Sequence, residues 1–177
     1  MMYSSVTGLL ADAVTAGSVW QAAQASDVVD RGVTQEQSWK QMAALWAAMK
    51  AAEADYSPER RSHSGLVGGD GARAAQASTG LCDPFVRAII ATALKVCECN
   101  ACMRRIVAAP TAGASGVLPA VLIPLQRRDG LPDAVMIQAL YVSAAFGQVI
   151  AERASISGAE GGCQAEVGSA SAMAAAA

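Results

Sequence analysis

Apolar residues recur along this chain at three- and four-residue steps, the period of an α-helix, and no segment alternates as a β-strand does. Alanine supplies much of the apolar content, and aromatic residues make up only 5% of the chain. Small side chains favour close packing of helices, whereas sheets favour β-branched and aromatic residues. The sequence therefore predicts an all-α fold, and its length of 177 residues predicts a single domain over residues 1–177.

Three glycine-rich loops separate the predicted helices. Helices are expected over 5–16, 19–29, 34–55, 72–77, 84–103 and 132–151, and loops over 62–71, 109–119 and 155–158. Thr34 and Asp83 stand where helix N-caps belong, and Pro84 follows Asp83 at a first helical position. We expect these glycine-rich loops to be set between buried helices.

The helix predicted over 34–55 carries an amphipathic stripe. Its members fall at helical spacing and are Trp39, Met42, Leu45, Trp46 and Met49. An aromatic stripe of this kind is typical of core packing. Trp20, Trp39 and Trp46 are therefore expected to anchor the core.

Charge and composition argue against nucleic-acid and membrane partners. The net charge is −2, and no basic block is present. The longest uncharged stretch, 106–126, contains Pro110, Pro119 and Pro124, which disfavour a membrane-spanning helix. The N-terminus lacks the pattern of a signal peptide, and an odd number of cysteines, five, indicates reduced thiols in a cytoplasm.

The segment with the most chemical information is Gly158-Ala-Glu-Gly-Gly-Cys163-Gln-Ala-Glu-Val-Gly-Ser169. It places Cys163 behind two glycines and in front of a run of small, helix-forming residues. A thiolate at a helix N-terminus is stabilised by free N–H groups, which suits either a reactive or a metal-ligating cysteine. Glu160 and Glu166 flank it as a candidate base, as partners of the thiol, or as charges that favour a helix start.

Two of the loops can present several backbone N–H groups to a carboxylate or phosphate. The candidate anion-binding residues are Thr111, Gly113, Ser115 and Gly116 in one loop, and Ser64, Gly65, Gly68 and Gly69 in the other. His63, the only histidine, lies beside the second loop. A lone loop histidine is more often solvated than catalytic, but His63 stays a candidate base.

Cys97, Cys99 and Cys102 form a C-x-C-x-x-C pattern that resembles a metal-binding motif. These residues lie inside the helix predicted over 84–103, where Cys97 and Cys99 diverge by roughly 200° around the axis. Free cysteine also packs as a small apolar residue. The pattern therefore favours structural cysteines over a metal site.

Three segments together resemble the α subunit of iron–sulfur-dependent bacterial L-serine dehydratase. They are SGLVGGDG (64–71), AAPTAGASGVLPAVL (108–122) and ASISGAEGGCQAEVGSASAMAAAA (154–177), and the resemblance covers essentially the whole chain. It implies deamination of L-serine to pyruvate and ammonia in amino-acid degradation and gluconeogenesis. It also implies a [4Fe-4S] cluster whose open iron is a Lewis acid, no pyridoxal phosphate, a partner β subunit or domain, and a homo- or hetero-oligomer.

Roles for single residues follow from the same resemblance. Cys163 would be one cluster ligand. The eight glycine-loop residues named above would face the substrate, and the general base stays open among His63, Glu160 and Glu166.

The family pattern places two further cluster cysteines downstream of the last residue of this sequence, Ala177. The resemblance therefore implies the N-terminal part of the α chain, inactive alone and without the cluster. Two rival interpretations remain. One is a related cluster-dependent lyase that acts on L-cysteine and releases sulfide, and the other is a non-catalytic interaction subunit.

Overall fold

The computed structural model describes residues 3–77 and 82–177, and within these ranges it contains eight helices and no strand. The helices are α1 (Val6–Ala16), α2 (Val19–Arg31), α3 (Gln35–Ala54), α4 (Asp70–Gln76), α5 (Pro84–Ala101), α6 (Val117–Asp129), α7 (Asp133–Arg153) and α8 (Gly158–Ala176). The predicted all-α fold is confirmed.

The chain divides into two compact units. Unit 1 comprises Met1–Trp46 and Pro132–Ala177, and unit 2 comprises Ala47–Leu131, so that α3 begins in unit 1 and ends in unit 2. The single domain expected over residues 1–177 stays a prediction.

Side-chain caps fix several of the helix starts. Thr34 Oγ1 accepts from Gln37 N at 3.1 Å while Gln37 Oε1 accepts from Thr34 N at 2.9 Å, which is a reciprocal capping box at the start of α3. Asp83 Oδ1 accepts from Phe85 N at 2.7 Å and from Val86 N at 3.0 Å, with Pro84 at the first position of α5. Both predicted N-caps are confirmed.

Helix α6 differs from the sequence-based prediction. The irregular segment predicted over 109–119 ends at Gly116, because the chain is helical from Val117. Pro119 lies in the first turn, where the missing N–H would have no intrahelical acceptor. Pro124 lies in the helix interior and is buried, as are Leu118, Leu122 and Ile123. Burial of this apolar face outweighs the loss of one backbone hydrogen bond.

Helix α7 is the central helix of unit 1 and packs against α1, α2 and α8. By length and composition it could cross a membrane, since it has 21 residues and a mean hydropathy of 1.6, but half of that apolar window is buried. Its buried residues include Met136, Leu140, Tyr141 and Val149. A mostly apolar helix of this kind is typical of a protein core.

Aromatic side chains tie α2, α3 and α7 together. Trp39 contacts Trp20 edge-on at 6.0 Å between centroids and stacks on Tyr141 at 6.2 Å. Ser38 Oγ donates to Asp27 at 2.6 Å, and because its single proton is used there, Tyr141 Oη donates to Ser38 Oγ, also at 2.6 Å. Aromatic core packing is therefore confirmed for unit 1.

The three tryptophans are not equally buried. Trp46 is 1% exposed, and its Nε1 donates to Asp133 Oδ1 at 3.0 Å, whereas Trp20 and Trp39 are half-buried. Leu45, expected on the core-facing stripe, is 44% exposed. Leu45 lies one residue before the buried Trp46. Because successive residues of a helix point about 100° apart, Leu45 does not face the core where Trp46 does.

In unit 2, α5 packs between α4 and α6, and a buried ion pair joins α5 and α6 to the end of α3. Glu53 is 6% exposed, and its carboxylate accepts from Lys95 Nζ at 2.9 Å and from Arg127 Nη2 at 2.7 Å. Burial raises the pKa of Glu53, but hydrogen bonds from Arg127 and Lys95 outweigh it and hold the pKa below its ordinary value.

Replacing Trp46 by Phe tests the core of unit 1. Trp46→Phe removes the Asp133 hydrogen bond and leaves space in a fully buried site, so we expect the free energy of unfolding to fall by about 1–3 kcal/mol. Urea denaturation followed by circular dichroism measures the change. Trp20→Phe, at a half-buried position, is the control and should cost less. Equal losses would contradict a larger stabilising contribution from the more deeply buried Trp46.

Replacing Glu53 by Gln tests the buried ion pair of unit 2. At neutral pH we expect Glu53→Gln to lower the free energy of unfolding by about 1–2 kcal/mol, because it removes the charge that pairs with Lys95 and Arg127. The loss stays modest because Arg127 is largely exposed and water screens its charge. A carboxyl whose pKa is lowered by folding stabilises the fold above its unfolded pKa and loses that contribution as the pH falls through the folded pKa. The difference between wild type and variant should therefore shrink below about pH 4.5. A difference that is constant from pH 7 to pH 3 would refute this origin.

Candidate functional site

Cys163 lies at a helix start, as the sequence predicts. Gly162 interrupts α8 with a φ of 71° and a ψ of 178°, a conformation essentially restricted to glycine, so Cys163 begins a second helical segment. The Cys163 thiol is exposed. Unit 1 thus presents a free thiol toward solvent at the N-terminal end of a helical segment.

The two carboxylates that flank Cys163 differ in their surroundings. Ser155 Oγ donates to Glu160 Oε2 at 2.8 Å, across the start of α8, and Glu160 is exposed. Glu166 is half-buried, and its Oε2 lies so close to Gly158 that a Cβ there would be 2.8 Å away. Both carboxylates therefore lie near the first turn of α8, where negative charge is favourable.

The predicted anion-binding loop of 64–71 binds a carboxylate of the chain itself. Glu98 of α5 is 4% exposed, and its Oε2 accepts from Gly69 N at 3.0 Å. Its Oε1 accepts from Asp70 N at 2.7 Å and from Gly71 N at 3.3 Å. The N–H of Gly69, predicted to face substrate, is therefore already bonded within unit 2.

The first half of this loop is an exposed turn. Gly65 N donates to Ser62 O at 2.8 Å, and Ser62 N donates to Val67 O at 2.9 Å. Ser64 Oγ lies 3.1 Å from Ser62 Oγ, and His63 is exposed beside it. Ser64, Gly65 and His63 are accordingly open to solvent, whereas Gly69 faces the interior of unit 2.

The second loop, 109–116, leads directly into α6. Thr111 Oγ1 accepts from Ala114 N at 3.3 Å, and Asn100 Nδ2 of α5 donates to Ala112 O at 3.0 Å. Gly116 packs so closely on α5 that a Cβ would lie 2.7 Å from Cys97 Sγ. The position of this loop is therefore also set by α5.

Ser115 is the unusual residue of this loop. Its side chain is 1% exposed, and its Oγ has no hydrogen-bond partner among residues 3–77 and 82–177. A buried hydroxyl without a partner costs about 1–3 kcal/mol, so it is rare without a functional reason.

Glu98, Asn100 and Tyr56 were not singled out by the sequence. Tyr56 Oη accepts from Ala72 N at 3.1 Å, and burial, together with the neighbouring Glu98 carboxylate, raises the pKa of Tyr56. The available signal was a glutamate inside a mostly apolar helix, since a buried carboxylate is almost always paired. Its partners lie 27 to 29 residues away along the chain, so the pattern could not identify them.

Of the two cysteines of α5, Cys99 is a buried packing residue, whereas Cys97 is exposed and its Sγ lies against Gly116. Cys99 is 3% exposed, and its Sγ lies 3.3 Å from Ala52 O. Burial raises the pKa of the Cys97 and Cys99 thiols, which disfavours the thiolate that a nucleophile or a metal ligand requires. Within the part of the chain that the structure describes, no three or more His, Cys, Asp or Glu side chains are grouped so as to hold a metal ion.

The larger cavities of unit 1 lie away from the predicted site residues. One of about 330 Å³ is lined by residues that include Asp27, Arg31 and Tyr141, and one of about 420 Å³ by residues that include Asp12 and Val29. Neither is lined by Cys163, Glu160 or Glu166. These cavities lend no support to the predicted site.

Comparison with known proteins places the chain in one family. Residues 9–177 match the family model described as "Serine dehydratase alpha chain". A Bacillus subtilis protein named "Probable L-serine dehydratase, alpha chain" is 40% identical over 158 residues, which is 88% of this chain and 52% of that protein. The "L-serine dehydratase, alpha chain" of Peptoniphilus asaccharolyticus is 48% identical over 93 residues, 52% of this chain and 32% of that protein.

The chain spans about half the length of the Bacillus relative and less of the others. The "L-serine dehydratase" of Mycobacterium tuberculosis is 53% identical over 88 residues, 48% of this chain and 19% of that protein. No solved structure matches. From the match over residues 9–177 and the identity to these relatives, the chain belongs to the serine dehydratase alpha chain family.

Proposed function

We propose that this chain is part of an L-serine dehydratase that converts L-serine to pyruvate and ammonia. The observation that carries the proposal is the family match over residues 9–177, together with relatives that are named for this reaction. The chain covers only part of those relatives, so the active enzyme requires further sequence. The 177-residue chain alone is inactive under this proposal.

The reaction sets three chemical requirements. A base removes the α-proton of serine, the β-hydroxyl leaves, and the resulting enamine tautomerises and is hydrolysed to pyruvate and ammonia. The departing hydroxyl needs an acid, and the substrate carboxylate needs donors that hold it in place. His63, Glu160 and Glu166 remain the candidate bases.

Cys163 is the proposed protein ligand of a [4Fe-4S] cluster. Its exposed thiol at a helix start suits a thiolate ligand. The described residues do not fit a cluster by themselves, because they contain no group of three or more His, Cys, Asp or Glu side chains that could hold a metal ion. We therefore propose that the remaining ligands come from residues outside this chain.

The glycine loops of unit 2 are the proposed substrate-facing elements. The unpartnered hydroxyl of Ser115 supports this role for the loop of Thr111, Gly113, Ser115 and Gly116, because a substrate carboxylate would supply the missing acceptor. In the other loop, the exposed Ser64 and Gly65 are better placed than Gly69, whose N–H is taken by Glu98. Gly68 remains a candidate.

The proposal also includes a partner β subunit or domain and a location in a reducing compartment. The alpha-chain names of the relatives support a β subunit or domain. All five cysteines are free thiols, which supports a cytoplasmic location.

The role of Cys163 is tested by Cys163→Ala in the complete enzyme that contains this chain. We expect loss of the cluster and a fall in pyruvate formation from L-serine of about 100-fold or more, since even outer partners of a metal site are worth 10–100-fold. Iron and sulfide content after anaerobic reconstitution, with a pyruvate assay, measures both.

Cys82→Ala, at an exposed position before α5, is the matched control and should keep the cluster. A Cys163→Ala enzyme with wild-type iron content would refute the ligand role. Sulfide release from L-cysteine that exceeds pyruvate formation from L-serine would reassign the substrate. A 177-residue chain that holds the cluster and turns over serine would refute its inactivity.

The role of Ser115 is tested by Ser115→Ala. Because its hydroxyl is buried without a partner, its removal should leave the free energy of unfolding unchanged or raise it by about 1 kcal/mol, while KM for L-serine rises. Ser143→Ala removes a second buried, unpartnered hydroxyl, in unit 1, and should leave KM unchanged. A Ser115→Ala enzyme with wild-type KM would contradict a substrate contact.

A further inference from the structure

Glu98 is a buried carboxylate whose charge is met by backbone rather than by a cation. Its oxygens accept from three consecutive N–H groups, at 3.0, 2.7 and 3.3 Å. Among the described residues no salt bridge reaches it, although Arg60 lines the same small cavity. Glu53, the other buried glutamate of unit 2, has two cationic partners instead.

The three bonds fasten the end of the glycine loop to α5. Gly69 is the residue before α4 and supplies no side-chain cap, so the Glu98 carboxylate takes the place of a cap from another helix. Tyr56 precedes the loop, and its Oη accepts from the N–H of Ala72, which lies in α4. The end of the loop is therefore held by side chains from both sides.

The glycines permit this arrangement. Gly68 and Gly69 have φ values of 139° and 88°, and a Cβ at Gly68 would lie 2.2 Å from Arg60 O. At Gly71 a Cβ would lie 2.7 Å from Lys95 Cγ. Glycine at these positions therefore permits the positive φ values and the close packing of the segment whose N–H groups reach Glu98.

We propose that Glu98 is a positioning residue, whose carboxylate holds the loop of residues 64–71 in the conformation that presents Ser64 and Gly65 to the substrate. The proposal rests on the proposed function, in which this loop contacts L-serine. Glu98 itself does not touch substrate. It acts instead through its hydrogen bonds to the N–H groups of Gly69, Asp70 and Gly71, which fix the position of the exposed turn before them.

Both oxygens of Glu98 are needed as acceptors, which makes Glu98→Gln the sharpest variant. Glutamine keeps the size of the side chain, but its amide nitrogen is a donor and cannot accept from a backbone N–H. Glu98→Asp keeps two acceptors on a shorter side chain. A merely space-filling role predicts the opposite order, because glutamine keeps the volume of the side chain and aspartate loses one methylene group.

The first measurement is amide hydrogen exchange on the 177-residue chain. Glu98→Gln should accelerate exchange in residues 62–72 by about 10-fold or more, while exchange in α6 and α7 stays as in wild type. Glu53→Gln is the matched control, because it alters a buried glutamate of the same unit whose ion pairs are with Lys95 and Arg127 and not with the loop. Unchanged exchange of the loop in Glu98→Gln would overturn the proposal.

The second measurement is steady-state kinetics of the complete enzyme with L-serine. Glu98→Gln should raise KM about 10-fold or more with unchanged iron content, Glu98→Asp should recover part of the loss, and Glu53→Gln should keep the wild-type KM. A faster-exchanging loop with wild-type KM would overturn the positioning role. A wild-type enzyme that does not turn over serine would refute the proposed function instead, and the exchange data would still decide whether Glu98 holds the loop.

Discussion

The carboxylate of Glu98 is the interaction on which the arrangement of the glycine loop in unit 2 depends. Removing a carboxylate from water costs several kcal/mol unless hydrogen bonds replace the lost hydration. Three backbone N–H groups replace it here, and the same bonds satisfy donors at the start of α4 that have no acceptor within that helix. The same three hydrogen bonds thus stabilise the buried carboxylate and satisfy the donors at the start of α4.

Helix α5 organises both loops for the same reason. Glu98 holds the end of the first loop, Asn100 donates to the second, and Gly116 lets the second loop lie directly on Cys97. The loops themselves contain few apolar side chains that could anchor them. Their positions are therefore set by polar groups of a helix whose other faces pack against α4 and α6.

In unit 1, a break in helix α8 sets the position of Cys163. The conformation of Gly162 breaks α8, so the thiol stands at the first turn of a new helical segment instead of on the side of a continuous helix. This local geometry, together with membership of the serine dehydratase alpha chain family, is what gives the ligand proposal its physical basis.

Local signals in the sequence determined much of this protein. Helical periodicity predicted the all-α fold, Thr34 and Asp83 predicted two helix starts, and the paired glycines predicted a helix start at Cys163. Each of these depends on contacts within a few residues, which a sequence pattern contains directly. The family resemblance, confirmed by the match over residues 9–177, likewise needed no coordinates.

Only the tertiary structure decided the rest. Helix α6 forms through Pro119 and Pro124 because its apolar face is buried, which overrides the local cost of proline. The loop of residues 64–71 was predicted to bind an anion, but only the fold shows that Glu98 is an anion it binds. Pairing of buried charges joins residues that are distant in sequence, as Glu53 with Lys95 and Glu98 with Gly69. Such pairs follow from how helices pack, and no local pattern records them.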